Sequence, residues 1–316
     1  MSESDSELRH FLLRRALGVI PTLLLIVALS FLVMRLAPGG PFDSERALAP
    51  DVRANLERAY GLDQPLPVQF VRYLNALLHG DLGPSLRLRD QSVTELLAVG
   101  LPVSLTVGAL ALVLAVAIGI PLGVAAAIAR KAAATRAYVA VTALGGAVPV
   151  FVLAPLLALA FGLWLGWLPV AGYEPGHWQD LVLPVVALAW TPIAYVARLT
   201  HASMGEVMVE PFIAAARARG LPESWVIWRY ALPAAGLPVL SYLGATAASV
   251  LTGSLVVETV FGLPGVGRHL VQGALDRDYT LVMGVVLVYA LLIVAFNLAV
   301  DVLYGVLDPR LRRRGL

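Results

Sequence analysis

Side chains that could carry out catalysis or hold a metal are few in this sequence, and their spacing suits neither task. The 316 residues include no cysteine, which excludes disulfides, thiolate metal sites and cysteine nucleophiles. No two histidines stand four residues apart, the spacing that would place two metal ligands on one face of a helix. The five histidines are His10, His79, His177, His201 and His269.

Other chemical groups also argue against an enzyme. An intramembrane hydrolase could use Ser254 as nucleophile and His201 as base, but no third group is available to orient them. The phosphate-binding pattern G-x-x-x-x-G-K-[ST] does not occur, so ATP hydrolysis by this chain is not expected. Arginine supplies nearly all the basic residues, which we attribute to codon bias, and no nucleic-acid partner is expected. We therefore expect a non-catalytic protein with no cofactor of its own.

The composition is that of a polytopic membrane protein. The chain is 59% hydrophobic and 14% charged with a mean hydropathy of +0.81, whereas soluble domains carry about 25% charged residues. Several apolar runs exceed the roughly 20 residues that cross a bilayer as a helix. We predict an all-α fold with six spans, at 11–36, 99–129, 135–162, 181–204, 231–256 and 279–307.

Basic residues predict the orientation of these spans. The connection 163–180 has no Lys or Arg, whereas the flanks of the predicted cytoplasmic side are basic, so both termini are expected inside. Segments 37–98 and 257–278 then lie outside. The basic flanks contain Arg9, Arg14, Arg15, Arg130, Lys131, Arg136, Arg310, Arg312, Arg313 and Arg314. We predict four regions: an anchor helix 1–36, an outside segment 37–94 with short helices, a membrane-spanning domain 95–305 and a basic cytoplasmic tail 306–316.

Three side-chain patterns within these regions lead to further expectations. Arg198 and Asp301 stand near the predicted cytoplasmic ends of their spans, where charged side chains can snorkel or pair, so a structural role is expected. No chain of buried acids or histidines runs through the spans, as an ion- or proton-coupled pump would need. In the outside segment, Val71, Leu74 and Leu78 repeat at helical spacing, which predicts a packed helix face.

The stretch PFIAAARARGLPESWVIWRYALP (211–233) is the polar interruption on the predicted cytoplasmic side. Pro211 suits the first position of a helix of about nine residues, and Gly220 suits a left-handed cap at its end. Pro222 is expected to restart a second short helix and Pro233 to open span five. The face formed by Phe212, Ala215, Ala216 and Arg219 carries small residues beside a large apolar anchor, which favours docking onto a partner protein.

Several segments resemble the B-type permease subunit of oligopeptide and dipeptide ABC importers. The cytoplasmic stretch is similar to the "EAA" loop of this family through Ala215, Ala216, Gly220 and the pair Leu232-Pro233. Ala214 stands where the family's Glu often stands, and Tyr230 replaces its Ile. Longer matches are IPTLLLIVALSFLVMRLAPGGPF, YGLDQPLPVQFVRYLNALLHGDLGPSL, LPVLSYLGATAASVLTGSLVVETVFGLPGVGRHLVQGALDRDY and NLAVDVLYGVLDPRLR, which together cover nearly the whole chain.

The resemblance implies a type I importer fold in the cytoplasmic (inner) membrane, with residues 212–220 as the coupling helix. The implied partners are a second, C-type permease, two ABC ATPase subunits that bind ATP and Mg, an extracytoplasmic binding protein and membrane lipid. Segment 257–278 is expected to form a re-entrant loop over the passage. Its candidate residues are Glu258, Gly262, Pro264, Gly265, Gly267 and Arg268.

Alternatives remain open at this point. Glu258 could meet a peptide's amino terminus and Arg268 its carboxylate, or both could contact only solvent and the binding protein. The same type of permease could serve nickel, glutathione or another small ligand. A self-contained secondary transporter would need a charge relay at the membrane midplane and often internal repeats, and neither is found.

Overall fold

The computed structural model describes residues 3–36, 40, 42, 49–88, 90–129 and 132–307. Regular structure in this part of the chain is helical, apart from one isolated bridge between Pro84 and Ser92. The helices are α1 Glu3–Leu36, α2 Pro50–Ala59, α3 Leu66–Leu78, α4 Val93–Ala127, α5 Ala132–Ala147, α6 Val150–Leu157, α7 Gln179–Val207, α8 Pro211–Ala218, α9 Glu223–Trp225, α10 Leu232–Val260, α11 Val266–Leu275 and α12 Tyr279–Leu307. Two π-helical segments, Ala158–Trp164 and Val226–Ala231, follow α6 and α9.

The predicted all-α membrane fold is confirmed. The predicted count of six membrane spans stays a prediction. Four helical stretches of the described residues are long and apolar enough to cross a membrane, within α1, α4, α7 and α12. A fifth candidate is a pair of helices, Thr135–Ala147 and Val150–Trp164. The predicted fifth span coincides with α10, a helix of 29 residues.

The predicted third span is not one straight helix. Its two halves meet at an angle of 108° around Val148 and Pro149. The prolyl ring disfavours helical geometry in the residue before it, and proline has no N–H to continue the hydrogen-bond ladder. Pro149 therefore ends α5 and stands in extended conformation before α6.

The chain forms two compact units, Met1–Pro102 with Pro264–Leu316, and Val103–Leu263. The core of the first unit joins the start of α4 to α11 and the first half of α12. Gly284 allows a close approach there, because a Cβ at this position would lie 2.5 Å from Cγ1 of Val93. The buried core residues are Val93, Leu97, Val266, Leu281, Val285 and Tyr289.

The apolar stripe predicted to pack on α3 is mostly exposed in the described part of the chain, with only Leu74 half-buried. Leu78 is 85% exposed and Val71 is 64% exposed. The helix contacts its own unit through a different side, where Phe70 lies with its ring centroid 5.2 Å from that of Phe31. Gln69 is buried and donates to the carbonyl oxygens of Leu62 and Gln64.

The second unit is assembled around α7, which contacts α5, α6 and α10. Glycines let neighbouring helices reach its backbone. A Cβ at Gly119 of α4 would lie 2.8 Å from Cβ of Val196, and a Cβ at Gly145 of α5 would lie 2.4 Å from Cβ of Ala194. Close contact through small residues is the usual way in which membrane helices associate.

Some predicted features fall outside what the structure describes. The end of the basic tail, residues 308–316, and the pair Arg130–Lys131 lie outside the described residues. Asp301 lies in α12, but its side chain is outside the described part.

Asp278 ties the loop before α4 in the first unit to the start of α12. Its carboxylate accepts a hydrogen bond from the Leu281 N–H at 3.1 Å, which is the N-cap interaction of α12. The other oxygen accepts from the Ser85 hydroxyl and from the Leu86 N–H at 3.2 Å. Asp278 is almost fully buried. Removal of its carboxylate would therefore leave each of these donors without this partner, and without water to replace it.

We expect Asp278→Ala to destabilise the first unit by about 2–4 kcal/mol, since it removes an N-cap and leaves buried donors unpaired. Asp278→Asn is the matched control, because its amide oxygen still accepts from the Leu281 N–H. Thermal unfolding in detergent should give the order wild type, Asn, Ala. Equal melting temperatures for Asn and Ala would contradict the role assigned to this cap.

Candidate functional site

The short helix α8 has the ends that the sequence predicts. Pro211 stands in its first turn after Glu210, which is extended (φ −68°, ψ 146°). At the other end the Arg219 N–H donates to the Ala215 carbonyl oxygen, and Gly220 adopts φ +75°. Helix α8 has eight residues, one fewer than the sequence predicts, and rises about 12 Å. The left-handed cap at Gly220 is confirmed.

One face of α8 is anchored in the second unit. Ile213 is fully buried and Ala216 nearly so. They belong to one apolar cluster with Val124, Met204, Val226, Ile227, Ala231 and Ala235. Ala216 therefore lies on the inner face, which corrects its predicted place on the docking face, and Ile213 is an anchor that the sequence reading missed.

The opposite face of α8 is open. Phe212 is 44% exposed, and Ala215 and Arg219 are exposed as well. These three residues share a surface on which small and apolar groups stand beside a cation. Since Ile213 fixes the opposite side, this surface is held in one orientation relative to α7 and α10.

A salt bridge braces α8 against the following segment. The Arg217 guanidinium donates twice to Glu223, from Nη2 to Oε1 at 2.6 Å and from Nε to Oε2 at 3.2 Å. This carboxylate raises the pKa of Arg217 above its usual value. The pair spans the turn at Gly220, and with Ile213 it supplies an orienting contact where Ala214 replaces the acid of the resembled motif. Both side chains are largely exposed, so the pair adds geometry more than stability.

The segment after Gly220 is more continuous than predicted. Helical structure begins at Glu223 after Pro222 and continues through the π-helical segment Val226–Ala231 directly into α10. Pro233 therefore lies in the first turn of α10 and does not open a separate helix. A shallow groove of about 660 Å³ lies here, lined by Ser224, Trp225, Trp228, Arg229, Tyr230 and Pro233.

Glu258 is buried in the second unit. This differs from the sequence analysis, which placed it in a loop where it could contact solvent. It lies near the end of α10 and is fully inaccessible. The hydroxyls of Ser104 on α4 and Ser254 one turn earlier on α10 both donate to its Oε1 at 2.6 Å. A buried carboxylate with such donors is stabilised where it stands, so Glu258 is not a surface contact for a peptide or binding protein in this conformation.

The remaining residues of segment 257–278 are distributed over a turn and a helix. In the second unit Gly262 adopts φ +64°, and the Phe261 carbonyl oxygen accepts from the Gly172 N–H at 2.9 Å. In the first unit Gly265 is the extended residue before α11, and Gly267 and Arg268 lie inside that helix. Gly267 is therefore helical, which corrects its place in the expected re-entrant loop. Arg268 is exposed and Pro264 is half-buried.

The residues considered for a hydrolase have other partners. Ser254 donates to Glu258, and the His201 ring stacks on Tyr138 with centroids 4.7 Å apart. The described residues contain no group of three His, Asp or Glu side chains placed to hold a metal ion.

Arg198 lies in the second half of α7, toward the end that the sequence predicts to be cytoplasmic. Ile193 is the middle residue of α7, and Arg198 follows it by five residues, or about 7.5 Å. Its guanidinium stacks over the ring of Tyr195 at 4.3 Å.

The fold and these sites define a polytopic, nearly all-helical membrane protein with an exposed, anchored helix between two of its long helices. The chain belongs to the family described as "Binding-protein-dependent transport system inner membrane component", whose model matches residues 119–313. The model for the N-terminal part of such membrane components matches residues 8–86. The chain is thus a transport component by family.

Curated relatives match over nearly their whole length. The chain is 47% identical over 302 residues to the oligopeptide transport system permease protein OppB of Salmonella typhimurium strain LT2, covering 96% of this chain and 99% of the relative. It is 39% identical over 304 residues to the dipeptide transport system permease protein DppB of Bacillus subtilis strain 168, covering 96% and 98%.

Solved structures share the fold. An inward-facing MetNI methionine ABC transporter chain matches with a TM-score of 0.56 at 19% identity, covering 67% of this chain and 96% of that chain. A chain of an amino acid ABC transporter crystallised with histidines matches with a TM-score of 0.53 at 21% identity, covering 66% and 93%. These matches confirm the ABC permease fold.

We expect Ile213→Ala to loosen α8, since burying the Ile side chain against α7 and α10 accounts for about 2–4 kcal/mol of local stability. Phe212→Ala removes a larger but half-exposed side chain and is the matched control. Hydrogen exchange of the 211–219 amides should speed up strongly in Ile213→Ala and little in Phe212→Ala. The reverse order would contradict the assignment of the inner face.

Proposed function

We propose that this chain is one of two permease subunits of an ATP-driven importer that carries peptides across the cytoplasmic membrane. The names of the curated relatives, which are oligopeptide and dipeptide permeases, support this substrate class. The observation that carries the proposal is α8: a short exposed helix with a buried anchor, placed directly between the long helices α7 and α10.

In this proposal α8 is the coupling helix, and its open face of Phe212, Ala215 and Arg219 docks on an ATPase subunit. The sequence has no phosphate-binding loop of its own, so ATP and Mg bind to two separate ATPase subunits. Ile213 passes the displacement of α8 into the second unit, because a packed apolar contact moves as a rigid body.

The remaining parts of the assembly follow from the same proposal. A second, C-type permease completes the passage, and an extracytoplasmic binding protein delivers the peptide. Both termini face the cytoplasm and segment 37–98 faces outside, as the basic flanks predict. Segment 257–278, with exposed Arg268 and the turn at Gly262, Pro264 and Gly265, borders the outside end of the passage.

Purification of the tagged chain from its native host in mild detergent tests the assembly. We expect two ATPase subunits and a second permease to co-purify, and uptake in vesicles to require ATP and the binding protein. A peptide bound to that binding protein would support peptides as the substrate class. Bound nickel or glutathione would instead make that ligand the substrate. Solute movement by this chain alone, without ATP, would overturn the proposal.

Gly220→Val is expected to uncouple ATP hydrolysis from uptake. A β-branched residue is strained at φ +75°, by about 1–2 kcal/mol or more, and shifts the end of α8. The space around Gly220 is open, so any effect comes from the backbone conformation and not from a clash. The measurement is the ratio of peptide taken up to ATP hydrolysed by the reconstituted complex.

Gly220→Asn is the control for this experiment, because Asn tolerates the left-handed conformation. We expect it to keep a ratio close to that of wild type, while Val lowers the ratio several-fold at similar membrane content. Normal coupling in Gly220→Val would count against α8 as the docking helix.

A further inference from the structure

A cavity lies in the second unit at the middle of its two longest complete helices. Its volume is about 320 Å³, and it opens to the surface of the described chain between residues of α6, α7 and α10. Thr246 is the middle residue of α10, and Thr191 and Pro192 adjoin the middle of α7. The lining residues are Val150, Leu188, Thr191, Pro192, Tyr242, Thr246, Ser249 and Val250.

An aromatic stack continues this cavity to a cation. The ring of Tyr242, which lines the cavity, stacks on the ring of Tyr195 with centroids 5.5 Å apart and planes 15° apart. The guanidinium of Arg198 lies over the other ring at 4.3 Å from its centroid. A Cβ at Gly146 would lie 3.5 Å from Nη1 of Arg198, an ordinary van der Waals contact, so the guanidinium lies beside α5 at this glycine.

The charge of Arg198 has no carboxylate partner in the part of the chain that the structure describes. Stacking on tyrosine offsets only part of the cost of a cation at this depth, by about 0.5–2 kcal/mol. Ionisable side chains inside membrane helices usually face a cavity and a charged partner. Arg198 and Tyr242 are only partly buried, and Tyr195 is 43% exposed, so a ligand can reach the stack.

We propose that this cavity and the Arg198–Tyr195–Tyr242 stack are a contact site for the peptide in passage, and that Arg198 binds its terminal carboxylate. This rests on the proposed function. The hydroxyls of Thr191, Tyr242 and Thr246 both donate and accept, so they can serve the amides of any peptide regardless of its sequence. The planar guanidinium matches a carboxylate with two parallel hydrogen bonds.

The test compares tri-alanine with its C-terminal amide in vesicles that contain the complete importer and its binding protein. The variant is Arg198→Gln, which removes the charge but keeps a long polar side chain. We expect uptake of the free acid to fall about tenfold relative to wild type, while uptake of the amide changes less than about twofold. Because the binding protein is unchanged, its own preference for either peptide cancels in each ratio to wild type.

Arg198→Lys is the matched control, since it keeps the charge without the planar guanidinium. It should restore most of the uptake of the free acid. An equal fall for acid and amide in Arg198→Gln, or no fall for either, would overturn the proposal. Absence of any peptide uptake by the wild-type importer would instead overturn the proposed function, so the two failures are distinguishable.

A photocrosslink tests the cavity without removing Arg198. A photoactivatable amino acid is placed at Thr246, which lines the cavity, and in a second variant at the exposed Leu237 on the same helix. During ATP turnover with radiolabelled tri-alanine, we expect an adduct at position 246 that excess unlabelled peptide removes, and none at 237. No adduct at 246 in vesicles that still take up the peptide would overturn the site.

Discussion

The close approach of α4 and α5 to α7 is the contact on which the second unit depends. A Cβ at Gly123 would lie 2.6 Å from the Ala197 carbonyl oxygen, and one at Gly145 would lie 2.4 Å from Cβ of Ala194. Lipid tails are as apolar as leucine, so helices in a membrane gain little by hiding apolar side chains from them. They gain by dense contact between backbones. The glycines make that contact possible and so fix α7 at the centre of its unit.

The central position of α7 joins the two sites mechanically. Near its middle it carries Tyr195 and Arg198, and near its end Met204 contacts the cluster that holds Ile213 of α8. Helix α10 makes the same connection from the other side, since Ala235 belongs to that cluster and Tyr242 lines the cavity. In the proposed coupling, α7 and α10 both carry a movement of α8 to the cavity.

The sequence predicts where helices begin and end better than it predicts which face of a helix is buried. Proline and glycine determine backbone conformation locally, so both ends of α8 follow from Pro211 and Gly220 alone. Which side of α8 is buried depends on α7 and α10, and a run of alanines and arginines gives no strong apolar periodicity to reveal it. For that reason Ile213 was missed and Ala216 was placed on the wrong face. Leu78 shows the converse case, an apolar residue of a helical pattern that stays exposed in the described part of the chain.

Polar residues were the least predictable, because their roles depend on partners far away in sequence. Ser104 and Glu258 are 154 residues apart, and Ser85 and Asp278 are 193 apart. No spacing rule connects such pairs. The break at Pro149 was readable in principle, but prolines inside α7 and α10 leave those helices continuous, so proline alone does not decide between a break and a helix that continues.

Two ionisable side chains of the second unit, Glu258 and Arg198, differ in their burial and in the partners that the fold gives them. Glu258 is fully buried, and two hydroxyls donate to one of its oxygens, so hydrogen bonds within the fold hold this side chain in place. Arg198 is partly exposed and rests on an aromatic face, which attracts a cation but does not neutralise it. An anionic ligand completes the stabilisation of Arg198 and gains little from Glu258. Of the two, only the arginine has the exposure that the proposed contact with a peptide requires.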